Sequence, residues 1–447
     1  MRYLPARQRC LPRFVCLQGI AQLFPHLGKS RPLRAVTLIF FVHARQYHPS
    51  SSKTTWRLVV TRHAFVVIAI GSALSGTALA QSSVQIYGIM DTAVTYVNNA
   101  GGASVTGLSA GPLKGNRVGL LGKEDLGGGM RAIFRLENGF SALNGALGQG
   151  GAMFGRQAYV GLASPYGTIT AGRQYDSIVD YVGVLKAGGD TAGAYANHPG
   201  DLDNTGNNFR VNNAIKYTSP TVRGVTFGGV FSPGGVAGDF RRKRVFSLGA
   251  GYSNGPLQLG AAYLNAQDPN FSFFGTNPSS SVTGNNMTAA PIYSGYASAR
   301  TLQIAGATGA YTFGGWTAGV VYTNTQLRDL GAEAGLNPHG YSGSAVFNTW
   351  ELNLRKTWAA TTMFGTSVQY TRASHVTGNA SSAGYLQANA GVDYFLSKRT
   401  DLYLVGIWQH ATGHDSTGGN AVASIYGFTA STTANQLAVA LGMRHSF

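Results

Sequence analysis

Few residues of this chain stand where reaction chemistry needs them. Gly251-Tyr252-Ser253-Asn254-Gly255 satisfies the G-x-S-x-G pattern, in which a strained strand-to-helix turn offers a serine to a histidine and an acid. Asn254-Gly255 is instead the turn signal of a two-stranded hairpin, which makes Ser253 a turn residue. His410 and His414 are four apart, a metal-ligand spacing on a helix but not at a strand end; they read as solvated loop residues. The other histidines after residue 80 are His198, His339, His375 and His445, and none has a recognisable catalytic setting. No metal or nucleotide motif stands out, so no cofactor is expected. The charges that do fall in a pattern are of another kind. Arg131, Arg135 and Glu137 alternate with Ala132, Phe134 and Leu136, and the polar stretch 174–208 holds Asp176, Asp180, Asp190, Asp201 and Asp203 with one Lys, Lys186. Charged side chains on one wet face suit a solute path better than a reaction.

Period-two alternation runs through most of the chain, in segments of about ten residues. Leu437, Val439, Leu441, Met443 and Phe447 share one face, against Ala438, Ala440, Gly442, Arg444 and Ser446. Leu386, Ala388, Ala390, Val392 and Tyr394 likewise oppose Gln387, Asn389, Gly391 and Asp393, and Val211, Ile215 and Tyr217 face away from Arg210 and Lys216. Each strand therefore meets one apolar and one wet environment. Short Gly, Pro, Asn or Asp turns (125–129, 164–167, 253–255, 396–399) alternate with long polar stretches (174–208, 267–299, 326–345, 411–432). About 16 strands fit, an even number in the range of outer-membrane barrels with short turns on one rim and long loops on the other. A lipid-embedded sheet has to close because nothing in the bilayer satisfies an open edge, and about 16 strands leave an aqueous lumen. Aromatics near strand ends, among them Tyr87, Tyr217, Trp358, Tyr394 and Phe447, suit interfacial girdles.

Composition excludes other classes. Charged residues are 11% and Gly numbers 62 of 447 at a mean hydropathy of −0.01, against roughly 25% charged and 7% Gly in soluble domains. No apolar run reaches the length of a transmembrane helix, and 22 Phe with 22 Tyr argue against disorder. The formal charge of +17 is unevenly placed: residues 1–80 hold 11 of the 34 Lys and Arg and no acid, leaving +6 for 81–447. This removes most of the case for a nucleic-acid partner. Cys10 and Cys16 also lie in that first part. Arg57 and Arg62, an apolar run from Ala64 to Leu74 and the end Ala78-Leu79-Ala80 have the form of a signal peptide cleaved between Ala80 and Gln81. Residues 57–80 are read as that peptide, 1–56 as a mis-assigned or discarded upstream extension, and 81–447 as the barrel.

Over 81–447 the sequence resembles the Gram-negative general porins in their beta-proteobacterial form. The marks, in order, are Ser83-Val84-Gln85-Ile86-Tyr87-Gly88, Asn116-Arg117-Val118-Gly119, Lys123-Glu124-Asp125-Leu126-Gly127-Gly128-Gly129, Phe154 to Leu162, Gly172-Arg173-Gln174, Arg210-Val211-Asn212-Asn213, Lys216-Tyr217-Thr218-Ser219-Pro220 and the end Gly442 to Phe447. The resemblance implies an all-β, 16-stranded antiparallel transmembrane barrel whose third extracellular loop, about 174–208, folds inward. It implies a homotrimer in the outer membrane, with lipid and lipopolysaccharide as neighbours; external Arg241-Arg242-Lys243-Arg244 would face lipopolysaccharide phosphates. Terminal Phe447 would be the signal read by the barrel-assembly machinery. The family's wall of arginines is matched by Arg117, Arg156 and Arg210, with Arg131 and Arg135 extending it. Loop residues Asp190, Asp180, Asp201 and Lys186 would face that wall, giving a transverse field across a narrow passage.

The function implied is passive diffusion of ions and small hydrophilic solutes, without enzymatic activity. An inward arginine has a plainer task available, pairing with Glu137 or holding the loop. Lys186 stands near the place of an acid in enteric porins, and Ile89 where those have a basic residue. A passage with more Arg than acid would favour anions. Competing readings are a substrate-specific porin, a barrel enzyme, and an adhesin or phage-receptor scaffold; conductance separates the channels from the rest.

Overall fold

The computed structural model describes residues 82–187 and 192–447; the leader and upstream extension fall outside them, as does Asp190. Seventeen strand segments build one closed antiparallel sheet. They are β1 (Ser83–Ala100), β2 (Ala103–Ala110), β3 (Arg117–Gly127), β4 (Met130–Gly139), β5 (Gln157–Ser164), β6 (Gly167–Gln174), β7 (Val211–Thr218), β8 (Val225–Ser232), β9 (Val245–Asn254), β10 (Leu257–Gln267), β11 (Thr301–Phe313), β12 (Trp316–Leu330), β13 (Gly343–Trp358), β14 (Thr362–Ala373), β15 (Gly384–Phe395), β16 (Thr400–Thr412) and β17 (Asn435–Ser446). β2 and β3 are two halves of one stave. β1 pairs with β2 from Thr92 to Ala100 and with β3 from Ser83 to Ile89, so the barrel has 16 staves. It closes where β1 meets β17, with Ile89 opposite Ser446 and Val97 opposite Ala438. Gly88 and Phe447 exchange both backbone hydrogen bonds, 3.0 and 3.1 Å.

Alternation positions the two faces. In β15, Leu386 and Tyr394 are exposed to the outside, while Gln387, Asn389 and Asp393 are buried within. In β13, Trp350 and Leu352 point out and Thr349 and Glu351 point in. Such a face pair needs lipid on one side, because lipid-facing and lumen-facing residues alternate in a spanning barrel. One expected face assignment fails. Val211 is buried, whereas Ile215 is 58% exposed. Asn213 adopts a φ of 51°, and β7 takes three steps, Val211 to Ala214, against two on β6. This bulge swaps faces. Tyr87 also departs from the girdle reading, since its hydroxyl donates to Glu137 at 2.6 Å on the inner side.

The connection 175–210 runs against the inner wall. It begins with α1 (Ser177–Tyr181), capped by Asp176, whose carboxylate accepts from the Ile178 and Val179 amides at 2.8 and 3.3 Å. α1 contacts β9 and β10, where glycines make room. A Cβ at Gly260 would sit 1.8 Å from the Tyr181 carbonyl oxygen, and one at Gly249 2.4 Å from the Tyr181 ring. Further along, Asp203 accepts from Thr323 of β12 at 2.6 Å, and Gln369 of β14 donates to the Ala196 carbonyl at 2.7 Å. Gln387 of β15 donates to the Asn197 carbonyl at 3.3 Å. Tyr181, Val182 and Leu202 join Phe273, Phe274, Tyr293 and Tyr296 of the connection 268–300 in one apolar cluster.

Candidate functional site

The break in the second stave supplies the first part of the site. Residues 111–116 leave the sheet because the inward carboxylate of Asp91 accepts the Leu113 and Lys114 amides at 2.8 and 2.6 Å. This delivers Arg117 to the start of β3, where its Nε donates to the Gly115 carbonyl at 2.9 Å. Arg156 precedes β5 and pairs with Glu137 of β4 at 2.7 Å. Glu137 also accepts from the hydroxyls of Tyr175 (3.0 Å) and Tyr87 (2.6 Å), and Arg156 donates back to Tyr175 at 3.2 Å. Arg210 precedes β7. It donates to the Asn208 carbonyl at 2.7 Å and lies 5.6 Å from the centroid of the Tyr175 ring. Arg156 thus holds Glu137 directly, and Arg210 reaches the same group of residues through Tyr175.

Burial works against the Arg156 cation, but the Tyr175 hydroxyl and Glu137 outweigh it and hold the guanidinium above its ordinary value. Burial, aided by the charge of Arg156, pushes Arg210 down. A guanidinium still keeps its proton at any working pH. These arginines line a cavity of about 810 Å³ with Lys114 and Lys186. Among the described residues no Asp or Glu lines it.

The acids expected to oppose the arginines are engaged elsewhere. Asp176 caps α1. Asp201 is fully buried and accepts from the Gly206 and Asn208 amides at 2.6 and 3.0 Å. Burial raises both carboxyls to about 6. Asp180 pairs at 2.5 Å with Lys216 of β7. Asp203 binds His198 Nδ1 at 2.6 Å, and Glu351 of β13 lies 3.3 Å from His198 Nε2, all three buried. Lys186 is buried and hydrogen-bonds Asn197. Burial opposes the imidazolium, yet Asp203 and Glu351 raise His198 to about 9, and His198 in turn holds Asp203 below the usual carboxylate range. The transverse field thus lacks its acidic side among the described loop residues, because these carboxylates are consumed in holding the loop. Arg135 stacks 5.6 Å from the Tyr87 ring centroid, and exposed Arg131 stands opposite Asp125; neither lines the cavity.

Sequence reasoning missed Tyr175, His198, Glu351 and Arg173. Glu351 had a signal, as the one acid between outward Trp350 and Leu352 on an alternating strand. Arg173, at the end of β6, donates to the carbonyls of Gly155 and Thr276 at 2.8 and 2.9 Å; nothing in its local sequence told of this.

The Gram-negative porin family matches residues 64–414. The chain belongs to that family. An outer membrane porin protein of Bordetella pertussis is 28% identical over 416 residues, covering 85% of this chain and 98% of the relative. Outer membrane porin protein 32 of Delftia acidovorans is 34% identical over 198 residues, 41% of this chain and 54% of that one. An anion-selective porin from Comamonas acidovorans shares the fold at a TM-score of 0.59 and 22% identity, covering 82% of this chain and all of the other. The porin is a protein of the Gram-negative outer membrane, spans it as a β-barrel, and is a channel rather than an enzyme. Its short turns and long loops assign the β3–β4 rim to the periplasm and the 175–210 rim to the outside, as in such barrels generally.

Proposed function

We propose that this porin passes ions and small hydrophilic solutes by passive diffusion, through a constriction between the Arg117, Arg156 and Arg210 wall and the inward connection 175–210, and that it favours anions. One observation carries the reading: the cavity between wall and loop is lined by five cationic side chains and by no carboxylate among the described residues. Rings of charge at a narrow point select ions by sign. The similarity to an anion-selective porin supports the same preference. A solved relative of this fold described in a trimer form supports a homotrimer, in which each protomer holds its own pore. The C-terminal Phe447 is the proposed insertion signal, and lipopolysaccharide the neighbour of the exposed Arg241.

The protein isolated from outer membranes and placed in a planar bilayer under a KCl gradient tests this. Stepwise insertion in threes and a zero-current potential of the sign set by chloride are expected. A cation-selective potential overturns the preference, and a folded, heat-resistant barrel without conductance overturns the pore.

A further inference from the structure

The outer wall carries a feature that diffusion through the lumen does not use. From β12 to β17 the outward side chains form cross-strand rows. One row runs through Leu354, Thr366, Ala390 and Gly406, each opposite the next. On its periplasmic side lies the row of Trp316, Lys356, Phe364, Val392 and Leu404, and on the other side Val368 and Trp408. Small residues between large ones leave an apolar groove of about 650 Å³ along this wall. At Gly406 an added Cβ would meet nothing within 4 Å.

The groove ends on a cationic rim. Lys356 holds its ammonium 4.8 Å from the Trp316 ring centroid and 5.5 Å from that of Trp358, an interfacial arrangement in which a long side chain turns its charge toward water. The β15–β16 turn adds exposed Lys398 and Arg399. The acids of this sector, Asp393 and Asp401, point inward and are engaged by Arg444 at 3.2 and 2.9 Å. The β3–β4 rim differs, because Glu124 and Asp125 follow Lys123 there. From Leu404 to Arg399 the chain runs about 17 Å at roughly 3.4 Å per residue, a descent of about 13 Å at a strand tilt near 40° and close to half of the ~30 Å hydrocarbon core. That is the depth reached by one acyl chain.

We infer that this face binds an anionic phospholipid of the periplasmic leaflet, with an acyl chain in the groove and the phosphate among Lys356, Lys398 and Arg399. Juxtamembrane cations attract anionic headgroups in this way.

Tryptophan quenching tests it in the protein carrying Trp56→Phe, Trp350→Phe and Trp408→Phe, which keeps only the rim pair Trp316 and Trp358. In phosphatidylcholine vesicles, brominated phosphatidylglycerol is expected to reach half-quenching at a mole fraction about tenfold lower than brominated phosphatidylcholine. Adding Lys356→Gln, Lys398→Gln and Arg399→Gln abolishes that preference while conductance and heat resistance persist. Gly406→Leu fills the groove and weakens quenching by chain-brominated lipid, with the headgroup preference retained. Equal quenching by both lipids in the parent overturns the proposal. Shielding of both tryptophans from either lipid identifies a second copy of the chain on this face and overturns it too.

Discussion

The two charged clusters inside the barrel each set cations against carboxylates and do opposite things. Around Glu137, Arg156 takes the one carboxylate, while Arg117 and Arg210 join it in bordering an open cavity. Around His198, one cation sits between Asp203 and Glu351 with no exposure. The first leaves positive charge facing solute; the second uses its charge up in fastening the loop to β12 and β13. Net charge and access to an open cavity separate a selecting surface from a fastening. The Arg wall bears a burial cost, seen in the lowering of Arg210, whereas the sealed cluster holds because each charge finds partners.

The largest expected effect is on the sealed cluster. His198→Gln leaves two buried carboxylates facing each other, and breaking such a pair costs about 3–5 kcal/mol. The connection 175–210 should then become cleavable by added protease and the open-channel current noisy. Unchanged protection would mean that the cluster does not fasten the loop. Next comes the wall. Arg117→Glu together with Arg210→Glu changes four charges, each worth about 1 kcal/mol at 4 Å in water, and the zero-current potential should change sign. A potential that keeps the chloride sign would place selectivity elsewhere.

Proton concentration should affect the clusters differently. His198 is raised to about 9 in the folded state, from about 6.5 when unfolded. Its contribution is complete below pH 6.5, declines as pH rises, and is lost above 9. Protease resistance of the loop should therefore fall between pH 7 and 10 in the parent and stay flat over that range in His198→Gln. Ion selectivity, to the extent that Arg117, Arg156 and Arg210 set it, should hold between pH 7 and 9, since guanidinium groups keep their protons. The smallest effect is at Lys216 and Asp180, whose side chains are 17% and 26% exposed. Asp180→Asn should cost no more than about 1 kcal/mol in a urea titration.

The barrel was legible from alternation because a strand between lipid and water must present two faces, as Leu386 and Gln387 do side by side. The motifs pointed to Arg117, Arg156 and Arg210, which line one cavity. The bulge at Asn213 was not, since it depends on a backbone conformation set by pairing with β6. The loop acids were legible as acids but not in their tasks. Asp176 and Asp201 bind amides within the loop, and Asp203 and Glu351 meet through His198 from segments about 150 residues apart. Such partnerships exist only after the loop has packed on the wall.

The hydrogen-bonded contact of Gly88 with Phe447 has a kinetic consequence. Every other stave pairs with its neighbour in sequence, so those ladders can grow as local hairpins. The seam alone joins the beginning of the sheet to its end, and bringing segments that far apart together costs roughly 5 kcal/mol of chain entropy before any bond repays it. Shutting the ring is thus the non-local step of folding, set apart from a succession of short-range ones, and substitutions along β1 and β17 should govern its rate.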